Sequence, residues 1–460
     1  MQRIFAIAWL TWKAAFRFRL FLVVAGLLLA SVVLLPLLIK DDGTARGFTQ
    51  ILLTYTLTTI SALLGISTLW LACGTLARDI EECQMQVVAV KPIARWQIWL
   101  GKWIGLMSLN AALLALSGGS VYALLQWRAT RLPPEQQEVL RREVLVARGS
   151  ARMQKPDAEI ELETENQLRE RLQKNPITQA DLNEVRKQIR EQLKAELQIV
   201  GPNNPKQWQI DLGAVKNLPR DRPLQLRVKF NAADQSTTGT FTGLWAIGSP
   251  TKTPIVRLEP MSLAPDTFHE FDIPPNFDEQ GKLTITFFNA NNRALLFPLE
   301  DGIEVLYREG TFALNYARGL AIIFCWMSLL AALGLAAASF LSFPVAAFVA
   351  LSVMVLVLSS GTLSNAVSEG TIANYNAEKG TKGFTPADVV VIPVFKAVLT
   401  VINLAKNFSP IDSLSTGRSI TWSQLGLAGG QIILLLGGIL AAFGMSVFTR
   451  RELATAQGTQ

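Results

Sequence analysis

Residues 77–102, ARDIEECQMQVVAVKPIARWQIWLGK, form a charged segment between two long apolar ones. The apolar neighbours are residues 51–76 and 103–125, and each is long enough for a bilayer-crossing helix, which needs about 20 apolar residues. The charges are mainly acidic before Lys91 and Pro92 and basic after them. A connection between two membrane helices needs only a few polar residues, so this longer and polarised segment is predicted to have a task of its own.

The composition is that of a membrane protein. Of 460 residues, 50% are hydrophobic and only 17% are charged, whereas soluble chains have about 25% charged residues. The net charge of +7 is modest and no basic patch stands apart from the helix ends, so no nucleic-acid partner is expected. None of the six long apolar segments has an acidic or basic side chain in its interior, which argues against proton- or sodium-coupled transport. They predict six transmembrane helices in an α-helical polytopic membrane protein, at about 20–39, 51–76, 103–125, 319–341, 344–359 and 427–448.

A polar block at 127–311 lies between the third and fourth predicted spans. Its first part, 134–200, is rich in Glu, Gln, Arg and Lys with opposite charges three and four residues apart, which predicts a helical stalk. Its second part, 205–311, consists of short alternating runs separated by Asn, Gly, Pro and Asp, which predicts a β-sandwich of about seven strands. We therefore expect an inserted extracytoplasmic α+β domain. A structural role or binding of an extracytoplasmic protein is preferred, and binding of a ligand, a glycan or a lipid headgroup, is the alternative.

The N-terminal stretch 1–19 alternates cations with Phe and Trp, which is typical of a helix lying in the membrane interface. Its expected anchors are Lys13, Arg17 and Arg19. The distribution of cations near the helix ends favours an N-terminus inside the cell. With six spans in the inner membrane, both termini and the 77–102 segment would be cytoplasmic, and the block 127–311 would be outside.

The segment 361–426, before the last span, contains an apolar stretch at 388–408 with Lys396 in its middle. This stretch could be a seventh span, but that would place the terminal cations Arg450 and Arg451 on the outer face. A helix at the outer interface or a re-entrant helix is therefore the preferred interpretation. Three side chains are expected to set this segment against the last helix, with substrate contact as the alternative: Asp412, Arg418 and Trp422.

The first half of the 77–102 segment is predicted to be a short helix on the membrane surface, running from about Asp79 to Val90. Carboxylates at its start would suit the positive N-terminal end of a helix. Pro92 interrupts it, and three tryptophans at interfacial depth would mark where the chain re-enters the bilayer: Trp96, Trp99 and Trp103. A motor protein could push on such a charged and rigidly joined helix. The alternative is a solvated loop whose tryptophans anchor the bilayer.

The run LARDIEECQMQVVAVKPIARWQIWLGKWIG at 76–105 resembles the cytoplasmic loop of ABC-2 type ABC-transporter permeases, in the branch that includes NosY-like and gliding-type members. AAASFLSFPVAAFVAL at 336–351, SPIDSLSTGRSITWSQLG at 409–426 and the terminal FTRREL at 448–453 resemble the same family. The resemblance covers roughly 1–126 and 312–455. The insert at 127–311 has no counterpart in the minimal members of this family.

This resemblance implies the transmembrane subunit of an ATP-driven exporter that works as a homodimer with a separate ABC ATPase. The chain has no G-x-x-x-x-G-K-[ST] phosphate loop, so we expect no enzyme activity and no cofactor in this chain, with ATP and Mg held by the partner. The resemblance implies that eight residues form the ATPase-docking surface: Arg78, Asp79, Glu81, Glu82, Lys91, Pro92, Arg95 and Trp96. The cargo would be lipid- or polysaccharide-like. A mechanotransducer that moves no substrate and acts on an outer partner through the β-domain is the alternative.

The predicted domains follow from these assignments. They are the interfacial helix at 1–19, three spans at 20–126, the insert at 127–311, two spans at 312–360, the outer segment at 361–426, and the last span with a cytoplasmic tail at 427–460.

Overall fold

A computed structural model of the chain describes residues 2–17, 20–38, 45–83, 85, 93–140, 144–153, 156–174, 179–213, 223–232, 239–248, 253–369, 388–406 and 408–451. The chain is mostly helical and divides into two compact units. The helical unit is formed by Met1–Ala147 and Gly310–Gln460, and the β-rich unit by Arg148–Glu309.

Long apolar helices dominate the helical unit. Over the described residues the helices are α1 (Gln2–Arg17), α2 (Leu20–Leu38), α3 (Ala45–Glu81), α4 (Arg95–Ala129), α5 (Pro134–Val139), α6 (Asp157–Lys174), α7 (Gln179–Gln198), α8 (Phe312–Ala338), α9 (Phe343–Leu358), α10 (Ser360–Glu369), α11 (Asp388–Lys406), α12 (Pro410–Ser415) and α13 (Trp422–Arg450). Of these, α6 and α7 belong to the β-rich unit. Residues Gly429–Gly437 of α13 have π-helical geometry.

Five of the described helices are long and apolar enough to cross a membrane: α3, α4, α8, α11 and α13. Two further spans are possible if each of two bent pairs counts as one, α1 with α2 at 68° and α9 with α10 at 56°. The protein is therefore a helical membrane protein with five to seven candidate spans in its described part. Predicted spans 20–39 and 344–359 qualify only within these pairs, whereas the stretch predicted to lie at the interface qualifies alone as α11.

Helix α3 lies at the centre of the helical unit, where it packs on α8, α4, α9 and α2. Helix α1 packs along α4, and two glycines of α4 allow this close approach. A Cβ at Gly101 would lie 2.8 Å from Ile7, and a Cβ at Gly105 would lie 2.8 Å from Thr11 and 3.0 Å from the carbonyl oxygen of Ala8. The α1–α4 contact therefore requires residues without a side chain at these two positions.

The β-rich unit has three sheets in the residues described. Its strands are β1 (Val146–Arg152), β2 (Ile199–Val200), β3 (Pro205–Asp211), β4 (Leu224–Val228), β5 (Asn231–Ala232), β6 (Phe241–Ile247), β7 (Val256–Arg257), β8 (Met261–Leu263), β9 (His269–Ile273), β10 (Lys282–Asn289), β11 (Leu295–Leu296) and β12 (Ile303–Thr311). The orders are β1-β12-β4-β9 for the four-stranded sheet, β3-β10-β6-β7 with β8 beside β6 for the five-stranded sheet, and β2-β11-β5 for the small one.

The two larger sheets share one apolar core and so form a sandwich. Leu226 and Val305 of the four-stranded sheet are buried in the same cluster as Trp245 and Ile285 of the five-stranded sheet. Every second residue of β6 from Phe241 is buried and the residues between them are half-buried or exposed, as the two-residue period of a strand requires. The predicted sandwich is thus present, with more and shorter strands than the seven expected.

The predicted helical stalk at 134–200 needs correction. Its described part contains the helices α5, α6 and α7, but β1 lies between the first two and pairs with β12. Helices α6 and α7 pack on each other as a hairpin, with Arg186 paired to Glu161 and Glu165. The stalk is therefore a helical hairpin joined to a strand of the sandwich.

Candidate functional site

The candidate site lies where the 77–102 segment leaves α3 and enters α4. Helix α3 continues through Glu81, and Cys83 follows with the positive φ of 58° that often ends a helix. The carboxylates of Asp79 and Glu81 are thus in the last turn of a long helix, and the predicted surface helix does not begin there. Lys91 and Pro92 lie outside the described residues.

Asp79 is held by an ion pair with Lys102 of α4. The Nζ atom of Lys102 lies 2.5 Å from Oδ2 of Asp79 and donates to the carbonyl oxygen of Thr75 at 2.6 Å. The Lys102 side chain is 9% exposed and the Asp79 side chain 34% exposed. A carboxylate at the negative end of a helix is unfavourable, and the buried ammonium group offsets this, which explains why α3 can end in acidic residues.

Glu81 caps the start of another helix. Its Oε1 atom accepts a hydrogen bond from the backbone N–H of Phe343, the first residue of α9, at 2.7 Å. The N-cap residue of α9, Ser342, makes no side-chain capping bond, so the carboxylate from α3 takes that role. The guanidinium of Arg78 lies over the Phe343 ring at 4.2 Å, which adds a cation–π contact to the same junction.

Arg95, at the first position of α4, binds the end of α13. One guanidinium nitrogen donates to the carbonyl oxygens of Phe448 at 3.1 Å, Thr449 at 2.8 Å and Arg451 at 2.6 Å. The last carbonyls of a helix have no partner within it, so a cation here satisfies them and complements the helix dipole. Arg451 in turn donates to the carbonyl oxygen of Ser339 at the end of α8, at 3.1 Å.

Trp96 is the exposed aromatic residue of the site, with 47% of its surface accessible. It lies beside a cleft of about 520 Å³ whose other wall is the last part of α13, lined by Ala442, Met445, Ser446, Thr449 and Arg450. Glu82 is exposed as well. Glu81 is exposed too, but its carboxylate is engaged with α9, so Trp96 and Glu82 are the exposed docking residues considered further.

Two further tryptophans of α4 were predicted to be interfacial anchors, and the position of Trp99 corrects this for one of them. Trp99 is 1% exposed, inside the core formed by α3, α4 and α8, so it fills protein rather than lipid. Trp103 is half-buried and donates from Nε1 to the carbonyl oxygen of Ser328 at 3.3 Å, and its anchoring role stays a prediction.

Helix α1 has one buried face and one exposed face. Ile7, Ala8 and Ala15 are buried towards α4, whereas Phe5 and Trp9 are exposed, and so is the cation Lys13. This pattern fits the predicted interfacial helix. The Arg17 side chain and all of Arg19 lie outside the described part of the structure.

The predicted outer residues are arranged around α8. Asp412 accepts from the Ser409 hydroxyl at 2.6 Å within α12. The segment that follows is held by Asn315 of α8, which donates to the carbonyl oxygen of Arg418 at 2.8 Å and accepts from the N–H of Ile420 at 2.7 Å. Residues Arg418 and Ile420 of the predicted outer segment are thus held against α8.

Trp422, which begins α13, makes the second contact of this region with α8. It is 63% exposed, and the guanidinium of Arg318 lies 4.5 Å from the centre of its ring. Arg318 also donates to the carbonyl oxygen of Ile420 at 2.8 Å. Neither Asn315 nor Arg318 was among the predicted residues; the available signal was a polar side chain at the start of an apolar segment.

The β-rich unit pairs its buried charges internally. Arg148 lies 2.9 Å from Glu270, and Arg227 lies 3.8 Å from both Glu270 and Glu304. A cleft of about 370 Å³ is lined by residues that include Arg152, Asp211 and Tyr307. Burial, and secondarily the charge of Glu309, raise the pKa of Tyr307. In the residues described, no group of three or more His, Cys, Asp or Glu side chains could hold a metal ion.

Comparisons with known proteins give no further guide to the site. No family model, no curated protein and no solved structure matches the chain.

Proposed function

We propose that this chain is the membrane subunit of an ATP-driven ABC-2 type exporter, energised by a separate ATPase that docks on the 77–102 segment. The observation that carries the proposal is that charged side chains tie both flanks of this segment to the ends of other helices. Glu81 holds the start of α9 and Arg95 the end of α13. A partner that displaced such a segment would move several spans, whereas a slack loop would absorb the displacement.

The remaining parts of the proposal rest on the sequence. The chain lacks a phosphate loop, so ATP and Mg belong to the partner. The six predicted spans have no charged residue in their interiors, which suits a lipid- or polysaccharide-like cargo better than an ion. We propose an inner-membrane homodimer with its termini and the 77–102 segment in the cytoplasm and the β-rich unit outside.

Docking is expected to use the accessible residues Glu82 and Trp96. Aromatic anchors and rim charges differ in role, since a buried Trp supplies affinity and a charge mainly supplies orientation. Loss of an aromatic anchor costs about 2 kcal/mol, which is more than a tenfold loss of affinity. We therefore expect the Glu82→Lys/Trp96→Ala variant to bind the ATPase at least tenfold more weakly.

The test is recovery of an ABC ATPase with the tagged protein from native membranes, measured by mass spectrometry. Trp127→Ala is the matched control, because Trp127 lies at the other end of α4 and is 51% exposed, against 47% for Trp96. Undiminished recovery with the double variant would reject this docking surface. No ATPase with the wild-type protein would reject the function itself.

A second function is favoured by the β-rich unit. Arg148–Glu309 is a compact unit with its own sandwich core, which is far more than a loop between two spans requires. In a mechanotransducer, ATP hydrolysis would act through this unit on an outer partner without moving a substrate. Recovery of the ATPase together with a stoichiometric extracytoplasmic protein, and ATPase activity stimulated by that protein, would favour this function over export.

A further inference from the structure

We propose that Glu81 and Arg95 are coupling residues, which transmit displacement of the 77–102 segment to α9 and α13, and that neither contacts the ATPase. This inference rests on the proposed function and assigns a different role to two members of the predicted docking surface.

Glu81 is engaged within the protein. Its carboxylate accepts a hydrogen bond from the first backbone N–H of α9 at 2.7 Å. The side chain of the N-cap residue, Ser342, makes no such bond. Charge-assisted bonds of this kind are short and directional. The ring of Phe343 is also held between Arg78, at 4.2 Å, and Trp70, at 5.1 Å edge to face. The start of α9 must therefore follow the end of α3.

Arg95 makes an equivalent connection on the other flank. Its guanidinium donates to three carbonyl oxygens at the end of α13, at 3.1, 2.8 and 2.6 Å. All three bonds come from one guanidinium nitrogen, and a lysine ammonium group also has three N–H donors, so only removal of the whole side chain, as in Arg95→Ala, breaks this contact. Arg451, one of the three acceptors, extends the connection to α8 through its bond to Ser339. The start of α4 is thereby fixed to the ends of two spans.

The connection through Glu81 continues along α9. At its far end α9 bends by 56° into α10. Ser360, the first residue of α10, accepts a hydrogen bond from Nζ of Lys406, the last residue of α11, at 3.0 Å. Ser360 is 3% exposed and Lys406 is exposed, so the contact joins a buried hydroxyl to a side chain at the surface. Displacement at Glu81 therefore has a continuous physical route to α10 and α11, whereas displacement at Arg95 acts on α13 and α8.

The two routes predict that loss of either residue affects only the helix to which that residue is bound. The wild-type complex, purified with its ATPase from native membranes, is studied by hydrogen–deuterium exchange with Mg-ATP and vanadate and without them. We expect nucleotide-dependent changes in exchange in peptides from both α9 and the end of α13. Glu81→Ala should abolish the change in α9 and preserve that in α13, and Arg95→Ala should do the reverse. Both variants should recover the ATPase at the wild-type level. A merely structural defect would affect both peptides together.

Glu81→Gln serves as a second variant in case Glu81→Ala fails to fold, since the amide oxygen can still accept the N–H bond but without charge. It should speed exchange of the first amides of α9 by roughly tenfold, the effect of weakening one charge-assisted bond. Ser342→Ala, at the N-cap position of α9 whose side chain makes no capping bond, should leave both peptides unchanged.

Three results would overturn the proposal. Loss of ATPase recovery with Glu81→Ala or Arg95→Ala would make the residue a docking contact. Persistence of the nucleotide-dependent change in α9 without the Glu81 carboxylate would show that α9 is driven by another route. Absence of any ATPase from the wild-type preparation would remove the proposed function and this inference with it, an outcome distinct from the other two.

Discussion

The Asp79–Lys102 ion pair should show an unequal response to loss of either partner. The Lys102 side chain is 9% exposed and that of Asp79 is 34% exposed, so the ammonium group depends on its partner far more than the carboxylate does. Asp79→Ala leaves a buried cation with the Thr75 carbonyl as its remaining hydrogen-bond acceptor in the described contacts. Removing one partner of a buried pair in this way costs about 3–5 kcal/mol.

Lys102→Met should be milder. Methionine fills the apolar surroundings of Lys102. The Asp79 side chain is 34% exposed, so water can hydrate its carboxylate once the ammonium group is gone. What is lost is a charge-assisted hydrogen bond, about 1.5–3 kcal/mol before that rehydration is counted. We therefore expect the free energy of unfolding to fall by about 2 kcal/mol more for Asp79→Ala than for Lys102→Met.

Equilibrium unfolding by SDS titration of the protein in mixed micelles measures both values, and the double variant completes the cycle. The double variant should be close to Lys102→Met alone, because the unpaired cation that makes Asp79→Ala so unfavourable is then absent. If Lys102→Met were the more destabilising single change, or if the two losses added in the double variant, the burial argument would be refuted.

Three further predictions concern other parts of the protein. Gly105→Ala should destabilise the α1–α4 packing by about 1–3 kcal/mol, whereas Gly119→Ala, where an added Cβ has nothing within 4 Å, should be neutral or stabilising in the same SDS titration. Asn315→Ala should cost about 2–4 kcal/mol because it removes two bonds at a site 1% exposed, and should increase proteolysis between α12 and α13. Because the pKa of Tyr307 is raised in the folded protein, its stabilising contribution is present below pH 10 and is lost as the pH rises through the higher folded value; Glu309→Gln should lower that pKa only in part, since burial is the larger cause, as measured by ultraviolet titration against Tyr307→Phe.

The sequence predicted the main elements because their signals are local. Apolar runs of about 20 residues identify helices without knowledge of their neighbours. The end of the insert at 311 coincides with the change from β12 to α8, where an alternating pattern gives way to a continuous apolar one. The strand β1 was missed because its partner, β12, is far away in the chain, and VARGSAR has no alternation of its own that outweighs the helical residues around it.

The candidate site shows the limit of such local rules. Acidic residues usually favour the start of a helix, and this rule placed Asp79 at the beginning of a surface helix. The structure has it at the end of α3, where Lys102 supplies a compensation that no window of sequence contains. In the same way, the charge of Arg95 was visible, but its acceptors are backbone carbonyls more than 350 residues later, and carbonyl groups leave no mark on the sequence.

The pairing of β1 with β12 also determines how the insertion can be accommodated. The chain leaves the helical unit through one of these strands and returns through the other, and the two are neighbours in one sheet. Hydrogen-bonded strands lie about 4.8 Å apart. The two ends of the β-rich unit therefore lie about one strand spacing apart, as the two ends of a hairpin do. A module joined in this way can be gained, lost or exchanged during evolution while the membrane part keeps its geometry, and the same two strands are the positions at which an engineer could graft a different module.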